Sequence, residues 1–370
     1  MRTPALRRRT LLALSGASLA GLPGCVPREA VAQDDSATQW AAFRDRFVSA
    51  EGRVRDTGQG GVSHSEGQGY AMLFAETFED RRAFETLAHW TRVHLRRADG
   101  LHAWRWRPGA ANPVDDLNNA TDGDLAIAWA LLRAGERWVE PEWRREGTRI
   151  ATAVLRRLVV EVGGRTLLLP GAQGFVHPDR VVVNPSYYAF PALHAAARAV
   201  PDRAWGRVTG DGVALLREAR FGRWGLTPDW VELKRGRAAA GARPAEGWPA
   251  RFSYDAVRVP LHLAWAGMTE EPAMRAAAAF WTDPALPVRP AWADLASGDV
   301  APYAAPAGVE AVAQLATAAQ AGGRPARQLP TVTRSPDYYS AALALLSRIA
   351  LAEAPRAGGV EAARARPGPA

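Results

Sequence analysis

Asn118-Asn119-Ala120-Thr121-Asp122-Gly123-Asp124-Leu125-Ala126-Ile127-Ala128-Trp129-Ala130-Leu131-Leu132 is the stretch on which the fold turns. Its second half is apolar at three- and four-residue spacing, the period of a helix with a buried face. Its first half is polar, and Thr121 stands where an N-cap is expected. Two acids follow within three residues. Negative charge in a first turn suits the helix dipole, and Asp124, three residues after Thr121, reads as a capping-box partner. Asp122 has no such duty.

The same pattern recurs on both sides, at SHSEGQGYAM (63–72), NPSYYAF (184–190) and SYDAVRV (253–259). Ser65, Asn184 and Ser253 are natural N-caps. Capping explains one short polar residue at each start, but not Glu66, Asp122, Asp124 and Asp255 together. Helical spacing extends through 39–49, 65–78, 80–96, 122–138, 142–160, 186–200, 204–219, 253–267, 270–282, 307–321 and 337–352. Gly- and Pro-rich joints separate these eleven segments, among them DGLHAWRWRPGAANP, LLLPGAQGF, FGRWGLTPDW and GARPAEGWPA. VVVN at 181–184 is a candidate short strand. Sustained alternation, a βαβ rhythm and a fixed repeat are all missing, so the fold class is all-α. About a dozen helices joined in pairs can bury their apolar stripes by closing into a double ring, which would gather the inner helix starts at one mouth.

The formal charge of +8 over 370 residues hints at a polyanionic partner. Half of it lies in residues 1–32, where five arginines meet one acid, Glu29. Lys234 is the only lysine, and no basic run interleaves with aromatics, which excludes a nucleic-acid partner. Cys25 is the only cysteine, so neither an intrachain disulfide nor a cysteine-rich metal site can form. Arg8-Arg9-Thr10 followed by LLALSGASLAGL reads as a twin-arginine-like export signal over residues 1–32, too short in its apolar part to span a bilayer. AVA at 30–32 fits cleavage before Gln33, while LPGC at 22–25 resembles a lipobox. The protein is therefore expected to be exported, periplasmic or secreted, and to touch a membrane only if lipid-anchored at Cys25. A polar linker over 33–38 opens a single domain at 33–354. The Ala-, Arg-, Gly- and Pro-rich tail at 355–370 is expected to be disordered.

Ala120-Thr121-Asp122-Gly123-Asp124, with Ile127-Ala128 and Trp138, is similar to the signature of glycoside hydrolase family 8. SEGQGY (65–70) resembles that family's acid motif and SYDAVR (253–258) its base motif. AWRW (103–106), LLLPG with GF (167–175), NPSYY (184–188), TPDW (227–230) and DYYSAALALL (337–346) fall in the order of cellulose-synthase-associated endoglucanases. The resemblance runs from about Trp40 to Ala350. Ala71 departs from it, standing where many relatives carry Gly.

This resemblance implies an (α/α)6 toroid and an inverting endo-hydrolase of β-1,4-glucan, with no cofactor and a functional link to a cellulose synthase complex. Xylan, chitosan or mixed-linkage glucan remain alternative substrates, and a non-catalytic glycan-binding component of an export system is the rival of another class. Inversion needs two carboxyls about 6.5–9.5 Å apart, one protonated and one ionised. Glu66 takes the acid role. A helix start favours its charged form, so burial or a neighbouring carboxylate has to raise its pKa. Gly67 and Gly69 are read as room for a polymer to lie close. The base lies between Asp255 and Asp122; Asp255 is preferred, and Asp122 then grips and distorts the sugar. Tyr187, Tyr254, Arg258 and Asp124 are supporting candidates, and His64 a hydrogen-bonding neighbour of Glu66.

Fourteen tryptophans suit stacking on sugar faces. Trp104 or Trp106, in a Gly- and Pro-flanked joint, is the expected platform, with Trp90 undecided. Trp129, Trp138 and Trp265 lie at core spacing. The seven histidines show no ligand pairing, so no metal site is expected.

Overall fold

All eleven periodic segments are helices: α1 (Arg28–Phe47), α2 (Ser65–Thr77), α3 (Arg81–His94), α4 (Thr121–Arg137), α5 (Pro141–Leu158), α6 (Phe190–Ala199), α7 (Arg203–Glu218), α8 (Arg258–Trp265), α9 (Pro272–Trp281), α10 (Ala307–Gln320) and α11 (Tyr338–Glu353). They come from a computed structural model that describes residues 28–235, 241–325 and 328–355. Cys25, the rest of the signal reading over 1–27 and the tail from 356 lie outside the described residues.

Two starts are later than the periodicity implies, and proline is the reason. Proline lacks an N–H and is tolerated only in a first turn. Pro191 accordingly begins α6 at Phe190, and Asn184 instead caps a 3-10 turn over Pro185–Tyr187. Pro260 sits in the first turn of α8, so Ser253 to Val257 form a separate turn before it, closed by Val257 N donating to Ser253 O at 2.9 Å. Asp255 therefore lies on a turn rather than inside a helix. The linker expected over 33–38 is part of α1.

The capping expectations also change. Ser65 and Thr121 are the first helical residues of α2 and α4, and the cap positions fall to His64 and Ala120, neither with a side-chain cap bond. Thr121 Oγ1 donates to Leu169 O at 2.6 Å, and Thr121 N donates to Pro170 O at 2.9 Å. The LLLPG segment, which continues the strand Arg165–Leu168 paired antiparallel with Val159–Val162, thereby anchors the start of α4. The VVVN segment is a strand over Arg180–Val183, paired with Val231–Lys234.

Burial separates the helices into two kinds. Every residue of α8, nearly every one of α2 and most of α11 are buried, whereas α3, α5 and α7 bury one face. A helix apolar all round belongs inside, an amphipathic one outside. α2 packs on α4, α4 on α6, α6 on α8, α8 on α11, and α11 returns to α2, closing a ring. α1, α3, α5, α7 and α10 each lean on this ring as outer partners. Six outer–inner pairs would need a twelfth helix after α9. The chain there is irregular apart from a two-residue strand at Ala293–Asp294, and α8 meets α11 directly. One continuous hydrophobic cluster draws on all eleven α-helices.

Glycines set how closely the inner helices cross. A Cβ on Gly69 would lie 2.6 Å from Ala126 Cβ and 2.9 Å from Ile127 N; one on Gly123 would lie 2.2 Å from Ser65 Oγ and 2.7 Å from Glu66 N. A Cβ on Gly67 would lie 2.7 Å from Tyr338 Oη of α11. These glycines make room for neighbouring helices, not for a polymer. The α2–α4 contact they allow brings Glu66 beside Asp122. Gly123→Ala is expected to cost about 1–3 kcal/mol through overpacking and to depress activity as α2 moves. Thermal denaturation with a parallel activity assay checks this; a variant matching the wild type in both would refute it.

Candidate active site

Arg258, the first residue of α8, joins the helix starts. Its Nη1 donates to Glu66 Oε1, to Asp122 Oδ2 at 2.8 Å and to Tyr70 Oη at 3.2 Å. Its Nη2 donates to Asp255 Oδ1 at 2.6 Å. The three carboxylates come from α2, α4 and the 253–257 turn, far apart in sequence. The near oxygens of two carboxylates bonded to one guanidinium's terminal nitrogens are at most about 7 Å apart, within the span of one sugar unit. Arg258 is buried, and its guanidinium carbon lies 5.6 Å from the centroid of the Tyr187 ring.

One cation among three carboxylates leaves the cluster short of positive charge, so a proton is favoured on one of them. Burial pushes the Glu66 carboxyl up to about 7; Arg258 opposes this, and Asp122 and Asp255 reinforce it. The Asp255 carboxyl is also raised, by burial first, with Arg258 opposing and Asp122 adding. Exposure distinguishes the three side chains: Asp255 is 30% accessible, Glu66 16% and Asp122 8%. Asp122 Oδ1 is also occupied, accepting from Gly123 N at 2.8 Å. Asp255 is thus the most open to a water molecule, and Glu66 the one held near its protonation midpoint at neutral pH. This is the arrangement that general acid and general base work requires.

The family model for glycosyl hydrolases family 8 matches residues 24–352. The chain belongs to glycosyl hydrolase family 8. It is 45% identical over 323 residues to a probable endoglucanase of Novacetimonas hansenii, covering 87% of this chain and 92% of that protein. An endoglucanase of Cellulomonas uda is 41% identical over 281 residues, covering 75% and 77%. The solved endo-β-1,4-glucanase of Acetobacter xylinum superposes with a TM-score of 0.81 at 44% identity, covering 87% of this chain and 99% of that one. The fold is accordingly the family 8 (α/α)6 toroid.

Not every candidate faces the family 8 cluster. Asp124 is fully buried: its Oδ1 accepts from His102 N at 2.9 Å and lies 2.9 Å from His102 Nδ1, and its Oδ2 accepts from Asn119 Nδ2 at 2.9 Å. It ties the joints before α4 to that helix. Its backbone N donates to Ala120 O, not to a Thr121 capping box. His64 Nε2 lies 3.7 Å from Asp56 Oδ2, so this histidine is Asp56's neighbour rather than a hydrogen-bond partner of Glu66, and burial lowers its pKa.

Among the tryptophans, Trp90 is buried, stacked on His94 at 4.6 Å and edge-on to Trp106 at 5.7 Å. Trp106 is held between Trp90 and the Arg53 guanidinium. Trp104 is half-buried, as Trp106 is, with the Arg105 guanidinium carbon 4.3 Å from its ring centroid; its carbonyl accepts from Ser65 N at 3.0 Å, next to Glu66, and its Nε1 donates to Asp116 Oδ2 at 2.8 Å. Trp265 is buried in the core, with Trp129 at 5.0 Å, and Trp138 packs on Phe84 and Trp143.

Tyr187 meets Trp230 at 6.3 Å, and Trp230 is stacked between Phe175 (5.8 Å) and Trp248 (5.3 Å). Tyr254 is 45% exposed, and its hydroxyl lies 3.3 Å from that of Tyr303, which accepts from Trp292 Nε1 at 3.1 Å. Tyr339 Oη donates to the Tyr254 carbonyl. Sequence reasoning assigned no role to Tyr70, Tyr338, Tyr339, Trp230 or Asp229. DYYSAALALL and TPDW were the available signals, because both place polar or aromatic residues where no helix stripe needs them.

Proposed function

We propose that this chain is an inverting endo-β-1,4-glucanase. In this reading the Glu66 carboxyl gives its proton to the glycosidic oxygen as the bond to C1 breaks. Asp255 takes a proton from a water whose oxygen attacks C1 from the opposite face. The product anomer is inverted, and Glu66 and Asp255 end with exchanged protonation states that bulk water resets. Asp122 and Arg258 hold the sugar hydroxyls and favour a strained ring. Trp104, Tyr187 and Tyr254 offer faces for neighbouring glucose units. The convergence of Glu66, Asp122 and Asp255 on one buried guanidinium carries this reading, supported by the endoglucanase names of the close relatives.

Export through residues 1–32, to the periplasm or beyond, belongs to the same proposal, as does a functional link to a cellulose synthase complex. These rest on the arginine-plus-apolar N-terminus and the order of the motifs.

The test is an assay of the purified protein on carboxymethylcellulose, xylan, chitosan and mixed-linkage glucan, following viscosity, reducing ends and product anomer by proton NMR. An early fall in viscosity and an inverted anomer on the cellulose derivative are expected. Polymer of unaltered length after long incubation would overturn the proposal. The pH dependence follows from the same groups. Glu66 must be protonated, so kcat/KM falls as pH rises through about 7. Asp255 must be ionised, so kcat/KM falls again as pH drops through its raised pKa. A bell whose high-pH side lies near neutrality is expected, and a profile still rising beyond pH 9 would contradict the Glu66 assignment.

A further inference from the structure

Asp229, in the TPDW joint, lies behind Asp255 and is nearly buried. Its Oδ1 accepts from Ser253 N at 3.0 Å and from Ala256 N at 2.7 Å, and its Oδ2 accepts from the Ser253 hydroxyl. All three donors belong to the turn that carries Asp255. Its own N donates to Arg251 O at 2.7 Å, fixing the carboxylate against the strand that leads into that turn. A carboxylate accepts at both oxygens and donates at neither, which matches a ring of three donors.

The charged neighbours are otherwise engaged. Arg258 on α8 serves Asp255, Glu66 and Asp122. Arg251, on the incoming strand, lies 3.5 Å from Asp294. Glu232, on the Val231–Lys234 strand, pairs with Arg243 and with Arg180 at 3.3 Å. Among the described residues no cation pairs with Asp229, and the titratable group that acts on it most is Asp255.

We propose that Asp229 is a positioning residue: it clamps the 253–256 turn so that Asp255 meets the attacking water, and its negative charge makes Asp255 a better proton acceptor. This rests on the reading of Asp255 as the base. Burial, and then repulsion from Asp255, push Asp229 up to about 6. The repulsion is mutual, so an ionised Asp229 strengthens the hold of Asp255 on a proton. Below about pH 6 Asp229 itself gains a proton, loses acceptor capacity, and the clamp loosens.

Asp229→Asn in the full chain tests this, with kcat and KM on carboxymethylcellulose measured across pH. Expected are a KM within about twofold of the wild type, a kcat lowered by about 10–100-fold, and a low-pH limb displaced towards acid by roughly half a unit or more. A variant limb that superposes on the wild type overturns the proposal, however much the melting temperature falls, because a purely structural residue would not move it. If the Asn variant does not fold, Asp229→Glu keeps the charge but displaces the turn; a lowered kcat with an unshifted limb is expected, and full kcat overturns the clamp. Asp255→Asn separates the two assignments. Wild-type turnover by Asp255→Asn would remove the base reading and this proposal together. Loss of turnover there, beside an unshifted limb in Asp229→Asn, would remove this proposal alone. Adding Asp229→Asn to Asp255→Asn is expected to cost less than threefold more.

Discussion

Glu66→Gln is expected to lower turnover on carboxymethylcellulose by about 10²–10⁴-fold or more while KM stays close to the wild type. Glutamine keeps the shape and can still meet Arg258 through its carbonyl oxygen, so the groove should survive. It has no acidic proton for the leaving oxygen. The high-pH limb should also vanish, because the group held at about 7 is gone. Burial is the largest cause of that shift, and the Arg258 contact opposes it. The N-terminal dipole of α2 also favours the charged form, which makes the protonated acid an achievement of burial and of like charges nearby. Hydrolysis by the glutamine variant near the wild-type rate would end the assignment.

Asp255→Asn is expected to cost a comparable factor, whereas Asp122→Asn retains the larger share of activity and loses it partly through KM. The two carboxylates bond the same arginine, so charge alone does not rank them. Access does. Asp255 is 30% accessible on a turn, while Asp122 is 8% accessible and anchored on Gly123 N within α4. A base has to reach a water beneath the sugar, whereas a residue that grips hydroxyls needs rigidity. Steady-state kinetics of both variants, with the product anomer followed by NMR, decides between them. Near-normal turnover by Asp255→Asn beside an inactive Asp122→Asn would exchange the roles.

The helices and their number were legible because apolar spacing is local. Each of the eleven segments repeats at the helical period over two turns or more, and that pattern survives without knowledge of its partners. The acids were legible for a related reason: Glu66 and Asp122 exceed what capping and dipole need in a first turn. Local reasoning failed where a neighbour from another helix decides. Gly67 and Gly69 looked like openings for a polymer, yet each is filled by a side chain or backbone from a helix distant in sequence. Asp124 shares a first turn with Asp122 but is turned into the interior, onto His102 and Asn119. Trp90 and Trp106, read alongside Trp104, are packed against each other.

From the sequence alone came an all-α chain of paired helices, the family resemblance, and the three acids on which the proposed chemistry rests. These depend on residue type and spacing within one segment. Only the tertiary structure decided that Arg258 binds all three acids, that Glu66 is buried enough to hold a proton near neutrality, and that Asp229 supports the turn bearing Asp255. Charge pairing and desolvation at this cluster depend on distances between groups up to 192 residues apart, and no local pattern encodes those distances.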